Sequence, residues 1–236
     1  MVDLFFLLAV IVGTIIYALF RLYKRAQYHK TSYYQDTHTP YSDIVFDKGV
    51  QGEYSVAMIL SPYQYQSARL LFNLYVPTQN GNTTEIDAVL ITRGGVIAIE
   101  VKNLSGSISG DSDEKYWNQT LLSSRGRLQH TFYNPIWQNG THIRALRQVI
   151  DQKVPFYSVI VFAGDCTLEE VSLGDMRANV VYAHELRPLI DSIQNVERPL
   201  LSDADIFKIY TKLQSFAHAD NATKVAHLNH VSQKYH

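Results

Sequence analysis

Cysteine is nearly missing from this chain: Cys166 stands alone among 236 residues. A single thiol excludes an internal disulfide framework and a multi-cysteine zinc site, and it fits a reducing compartment. Net charge is nearly missing too. At −1 there is no global electrostatic pull toward a polyanion, so any nucleic-acid contact has to come from a local basic patch. No internal repeat is visible. What is there is a 46% apolar fraction with 12% aromatics, enough for a real core in one medium domain with appendages.

Charge is also absent from one long run. Leu4 to Phe20 reads LFFLLAVIVGTIIYALF, and Leu22 and Tyr23 extend it past Arg21. At 1.5 Å per residue this lies at the short end of what spans a bilayer core of roughly 30 Å. Arg21, Lys24, Arg25 and Lys30 follow it, whereas only Asp3 precedes it. The positive-inside rule then expects a single-pass protein with its N-terminus outside and the remainder in the cytoplasm, contacting lipid through residues 4–23. A cleaved signal peptide is the rival, but neither a basic leading region nor a small-residue cleavage site is evident. The expected organisation is an anchor with its basic flank over residues 1–25, a juxtamembrane linker over 26–47, a folded domain over 48–195, and a C-terminal helix with a polar, histidine-containing tail over 196–236.

Two β-branched runs around Gly94-Gly95 read as a β-hairpin, Thr84 to Thr92 and Val96 to Asn103. Three charges break its apolar pattern: Asp87, Glu100 and Lys102. Charged side chains rarely enter such strands unless they are paired or bind a metal. With Gly94 and Gly95 as the loop residues, Asp87 faces Lys102 and Val89 faces Glu100, which puts all three charges on one side. A three-residue loop from Arg93 to Gly95 would scatter them unless a bulge restored the alignment.

Elsewhere, Gly52-Glu53 opens a helical segment, with Glu53 in its first turn as either a dipole-stabilising acid or a carboxylate facing the hairpin. Ala68 to Val76 is helix or strand. Arg125-Gly126-Arg127 is the nearest thing to a basic loop, a surface turn or a phosphate contact. Asn134-Pro135 caps a helix expected to run to about Gln152; Gln138 and His142, four apart, share a side distinct from its apolar stripe. Arg144 and Arg147 lie beyond that stripe, open to solvent or phosphate. Val154 to Phe162 has the length and continuity of a strand covered on both faces. A helix from His184 to Ile193, broken or restarted at Pro188, and another from Asp203 to about Ala219 complete an α/β pattern: a mixed β-sheet flanked by helices. His218, His227, His230 and His236 read as a polar tail.

Two carboxylates with a lysine two residues after the second suit a hydrolytic magnesium site. Asp87 and Glu100 offer hard oxygen ligands, the Val101 carbonyl adds one more, and Lys102 can orient a water or offset charge developing on a phosphate. The alternative is a cross-strand salt bridge between Asp87 and Lys102, worth about 0–1 kcal/mol at a surface and a weak reason to place three charges in such apolar strands.

The ordered set of Glu53, Glu85-Ile86-Asp87, Glu100-Val101-Lys102 and Asn134-Pro135-Ile136-Trp137-Gln138 resembles the nuclease-related domain (NERD) family, and through it the PD-(D/E)xK nuclease superfamily. The resemblance covers roughly residues 48 to 165. It implies a restriction-endonuclease-like α/β fold and a Mg2+ (or Mn2+) site at Asp87 and Glu100. It further implies a catalytic Lys102, an assisting acid at Glu53 and a site-facing Gln138. DNA, or RNA, becomes the expected substrate, with Arg125, Arg127, Arg144 and Arg147 as weaker nucleic-acid contacts. The expected function is therefore a membrane-anchored, metal-dependent endonuclease. Its alternative is an inactive nuclease-fold module that binds nucleic acid or protein at the membrane.

Overall fold

The computed structural model describes residues 4–124, 126–150 and 153–217, together with Ala219, Thr223 and Val225. Helix α1 (Leu4–Tyr28) carries the apolar run and continues through the basic flank; its length and composition suffice to cross a membrane, and none of its most apolar stretch is buried by the rest of the chain. The segment expected to be a linker is instead two short helices, α2 (Ser32–Thr37) and α3 (Tyr41–Phe46). They are too short to show a period, yet tertiary contact holds them. Tyr33 of α2 is fully buried against Phe72 and Tyr54.

Helix α4 (Lys48–Leu60) starts at an Asp47 cap, well ahead of Glu53. Glu53 therefore lies in the second turn, past the reach of the helix-terminal dipole. Strands β1 (Arg69–Pro77), β2 (Thr83–Thr92) and β3 (Gly95–Lys102) form an antiparallel meander. An outer set follows: β4 (Gly106–Asp111), β5 (Tyr116–Ser123) and β6 (Gly126–Tyr133). Helix α5 (Pro135–Val149) leads to β7 (Phe156–Phe162), β8 (Cys166–Ser172) and β9 (Ala178–Tyr182). Helix α6 (Ala183–Gln194) passes through Pro188 without a break, because Leu186, Ile190 and Ile193 bury one continuous face. Helix α7 (Asp203–Ala217) docks through Ile206, Ile209 and Leu213. The terminal histidines fall outside the described residues.

Two mixed sheets result, ordered β1-β2-β3-β7-β9 and β6-β5-β4-β8, with β7 and β9 parallel to β3. On one face of the larger sheet, Leu90, Ile97 and Ile99 pack with Val56, Leu60 and Leu186 from α4 and α6; on the other, Val89, Ile91 and Ala98 pack with Leu146, Ile209 and Leu213 from α5 and α7. Trp117 stacks on Phe162 and joins the smaller sheet to the end of β7. The expected mixed sheet with flanking helices is present; Ser105 to Asp113, whose Ser-, Gly- and Asp-rich sequence reads as a loop or short strands, holds β4, whereas β8 has no signal in the local sequence pattern.

The hairpin register differs from the expected one by two residues. Thr92 pairs with Gly95 and Ile91 with Val96, so the turn is Arg93-Gly94. Contacts remote in sequence decide this. The Arg93 carbonyl accepts from the Leu200 and Leu201 amides, its guanidinium grips Asp203, and a Cβ on Gly94 would come within 1.9 Å of the Ile193 carbonyl oxygen. Continuing the ladder one step beyond Ala88 and Ile99 brings Asp87 level with Glu100, rather than with Lys102. A slip of two leaves alternate positions in step, so the charges still converge.

Candidate active site

The site lies where β2 and β3 part at the end of their ladder. Across β2 from Asp87, Asn73 adopts a left-handed backbone (φ 49°), which asparagine tolerates better than most residues. There the inward alternation slips: Phe72 and Ala88 face the α4 layer, while Leu74 and Ile86 face the α5 layer. Asp87 thus stands at a crossover between the two faces. Its Oδ2 accepts from the Val101 amide at 2.7 Å, replacing the ladder bond that ends here.

Glu100 follows Ala98 onto the α5 face and is 1% exposed. Lys102 donates to its Oε1 at 2.5 Å, and His142 meets its Oε2 at 2.9 Å. Lys102 also donates to Gln138 Oε1 at 3.0 Å, and the other ring nitrogen of His142 lies 2.8 Å from the Thr84 hydroxyl. Helix α5 therefore sends two side chains, one turn apart, onto the same ion pair. It is held there by Asn134, which caps it by accepting from the Ile136 and Trp137 amides. The Asn134 amide group also donates to the carbonyls of Asp111, Ser112 and Glu114. Asn139 adds bonds to the Ala98 carbonyl on β3 and to Ser158 on β7.

Glu53 comes from the opposite layer. Its Oε2 accepts from Tyr33 at 3.0 Å, and it contributes to the field at both Asp87 and Lys102. Burial, opposed by the Tyr33 and Asn73 hydrogen bonds and reinforced by the charges of Glu85 and Glu100, pushes the Glu53 carboxyl up to about 7. Burial, then the charges of Glu100 and Glu53, likewise hold Asp87 well above the usual aspartate range. Glu100 goes the other way: burial would raise it, but Lys102 and His142 more than compensate and keep it low. Burial would also lower Lys102, yet the surrounding carboxylates hold it above the ordinary lysine value, so it is an ammonium donor and not a base.

Glu53, Asp87, Glu100, Lys102 and Gln138 are thus brought into one cluster. Among the described residues, none of the predicted arginines bonds to this cluster. Arg127 is exposed on β6 opposite Leu122, and Arg144 donates to Thr141 on its own helix. Arg147 covers the Phe156 ring, and Phe156 pairs with Val96, at the far end of β3 from Lys102. Arg125 falls outside the described residues. Three further participants emerge. His142 had its signal in the four-residue spacing from Gln138. Asn73 had one as a lone polar residue inside an apolar strand. Tyr33 had none, since nothing local ties it to Glu53.

The donor set fits a small divalent cation. Asp87 and Glu53 both resist ionising beside the Glu100 carboxylate, a repulsion that a 2+ charge would relieve, and the Asn73 Oδ1 is buried without a protein partner. Among the described residues no three acidic, histidine or cysteine groups are arranged to hold a metal ion.

This arrangement on a mixed sheet defines a nuclease-related α/β domain. The chain belongs to that family: the model of the nuclease-related domain, NERD, matches residues 48–163, a span that contains all five clustered residues. A relative from Bacillus anthracis, named as an uncharacterized protein, is 30% identical over 188 residues, which cover 80% of this chain and 85% of the relative. No solved structure matches.

Proposed function

We propose that this protein is a membrane-anchored, metal-dependent nuclease that hydrolyses phosphodiester bonds of DNA on the cytoplasmic side, with RNA as the alternative substrate. The observation that carries this reading is the convergence of Asp87, Glu100 and Lys102 from the hairpin with Glu53 and Gln138 from opposite helical layers. Asp87, Glu100 and the Val101 carbonyl would hold Mg2+ or Mn2+, which when bound supplies a water of lowered pKa and positive charge beside the phosphate.

The chain's own part follows from hydrogen-bond accounting. An ammonium has three donors, and two of those on Lys102 are engaged by Glu100 and Gln138. The third is aimed by the other two and serves an attacking water or a phosphate oxygen. Glu53, held by the Tyr33 hydroxyl on the opposite side of the cluster, is the proposed assisting acid. The exposed Arg127 and Arg144 are the proposed strand contacts. The basic residues after the apolar part of α1 support the proposed orientation.

The test is cleavage of DNA by the full-length chain in detergent micelles. Cleavage that requires Mg2+ or Mn2+ and stops with a chelator supports the reading. A second reading, a binding module without turnover, draws on the fact that both Glu100 oxygens already carry a protein donor. DNA binding that never leads to cleavage in Mn2+ would select it.

The carboxyls also give a pH prediction for metal-free protein. A carboxyl whose folded pKa is raised keeps its proton when folded and loses it on unfolding, so stability falls as pH climbs from the ordinary carboxylate value toward the raised one. For Glu53 that window runs up to about 7. Between about pH 5 and about pH 7.5 the metal-free chain is expected to lose on the order of 1–3 kcal/mol, several degrees in Tm, with a smaller loss in Asp87→Asn. Thermal unfolding across pH checks this; a flat profile contradicts it.

A further inference from the structure

A second feature lies away from the nuclease-like site, where α1 leaves its apolar stretch. A groove of about 750 Å³ runs between α1 and the α2–α3 pair. From α1 it takes Ala18, Leu22, Arg25 and His29, spaced four, three and four apart and so forming one stripe about 16 Å long, with Arg21 beside it. The stripe is apolar at the end nearer the expected bilayer and basic beyond it.

The facing wall is also part apolar and part polar. Phe46 is 81% exposed, while Tyr34, His38 and Tyr41 line the polar part. Tyr41 lies under the Arg21 guanidinium at 5.7 Å, and Tyr34 stacks on His29 at 4.3 Å, so aromatic rings hold both cationic or protonatable groups toward the groove. Among the described residues neither Arg21 nor Arg25 has a carboxylate within ion-pair distance; the nearby Asp43 accepts instead from Ser42. Two uncompensated guanidiniums beside an apolar wall, at the depth where headgroups lie, are complementary to a lipid phosphate with its acyl chain attached.

We propose that this groove binds the headgroup of an anionic phospholipid, with its phosphate on Arg21 and Arg25 and its chain along Ala18, Leu22 and Phe46. The assignment rests on α1 being a membrane anchor. It is more specific than general attraction of a basic flank to an acidic leaflet, because Lys24 and Lys30 belong to the same flank yet do not line the groove. Lys24 lies over the Phe20 ring instead.

The experiment uses the full-length chain in neutral detergent, titrated with phosphatidylglycerol, phosphatidylcholine or inorganic phosphate. Saturating phosphatidylglycerol is expected to raise the unfolding midpoint by about 5–10 °C, with no comparable effect from the other two. Arg21→Gln/Arg25→Gln should abolish that rise while leaving the lipid-free midpoint near wild type. Lys24→Gln/Lys30→Gln, which removes equal charge, should keep it. Native mass spectrometry of the wild type should show retained anionic lipid and so does not depend on any variant folding. Equal effects of phosphatidylcholine or free phosphate, or equal loss in the two double variants, would overturn the groove. Release of the chain from membranes by alkaline carbonate overturns the anchor reading itself, a separable result.

Discussion

Lys102→Met is expected to slow phosphodiester cleavage by about 10²–10⁴-fold while leaving Mn2+ binding intact or tighter. The two effects separate because the ammonium plays two parts. Toward a phosphate it is an oriented donor, held by Glu100 at 2.5 Å and Gln138 at 3.0 Å, and methionine of similar length offers no proton and no charge. Toward a cation it is a competitor, since it already neutralises the carboxylates that would take the metal. Removing it lifts that competition. Asp87→Asn should behave differently, losing metal binding and cleavage together, because an amide oxygen lacks the charge on which the site depends. Calorimetric titration with Mn2+ alongside a cleavage assay checks the pair, and wild-type cleavage by Lys102→Met would remove the lysine from the mechanism.

Asn134→Ala is expected to be a strongly damaging change outside the charged cluster, lowering stability by about 2–4 kcal/mol and Tm by about 5–10 °C. Asn134 is fully buried and uses both ends of its amide. Its oxygen caps α5, a contribution of about 1 kcal/mol. Its nitrogen donates to the Glu114 carbonyl at 2.7 Å and reinforces the carbonyls of Asp111 and Ser112, which the Trp117 and Trp137 indoles also serve, so alanine would strip the Glu114 carbonyl of its donor at about 1–3 kcal/mol. Asn134→Asp isolates these parts. Aspartate keeps the cap oxygen yet presents acceptors to acceptors, so it should be nearly as harmful as alanine. If the Asn134→Asp variant proved close to wild type in thermal unfolding, the clamp on the turn would be unimportant. Since α5 carries Gln138 and His142, either variant should also blunt the response to metal.

Several of these features are legible in the sequence, each for a local reason. Charges inside the apolar strands mark Asp87, Glu100 and Lys102, because burial makes an unexplained charge improbable. The Asn-Pro start of α5 follows from capping, and the spacing of Gln138 and His142 from helical period. Other features leave no local trace. The turn at Arg93-Gly94 is decided by Ile193, Leu200, Leu201 and Asp203, far along the chain. Glu53 reads as an acid of a first turn, but Asp47 starts the helix earlier.

What the sequence by itself determined is a clustering of charged residues in the hairpin, together with an N-terminal helix apolar enough for a membrane: residue chemistry and short-range period suffice for these. Only the tertiary structure decided the company the members keep. It brought Tyr33 to Glu53 from a segment that looks like linker, set Asn73 opposite Asp87, and closed the Thr84–His142–Glu100 chain. These contacts join layers far apart in the chain, and hydrogen bonds across layers leave no period to be read along it.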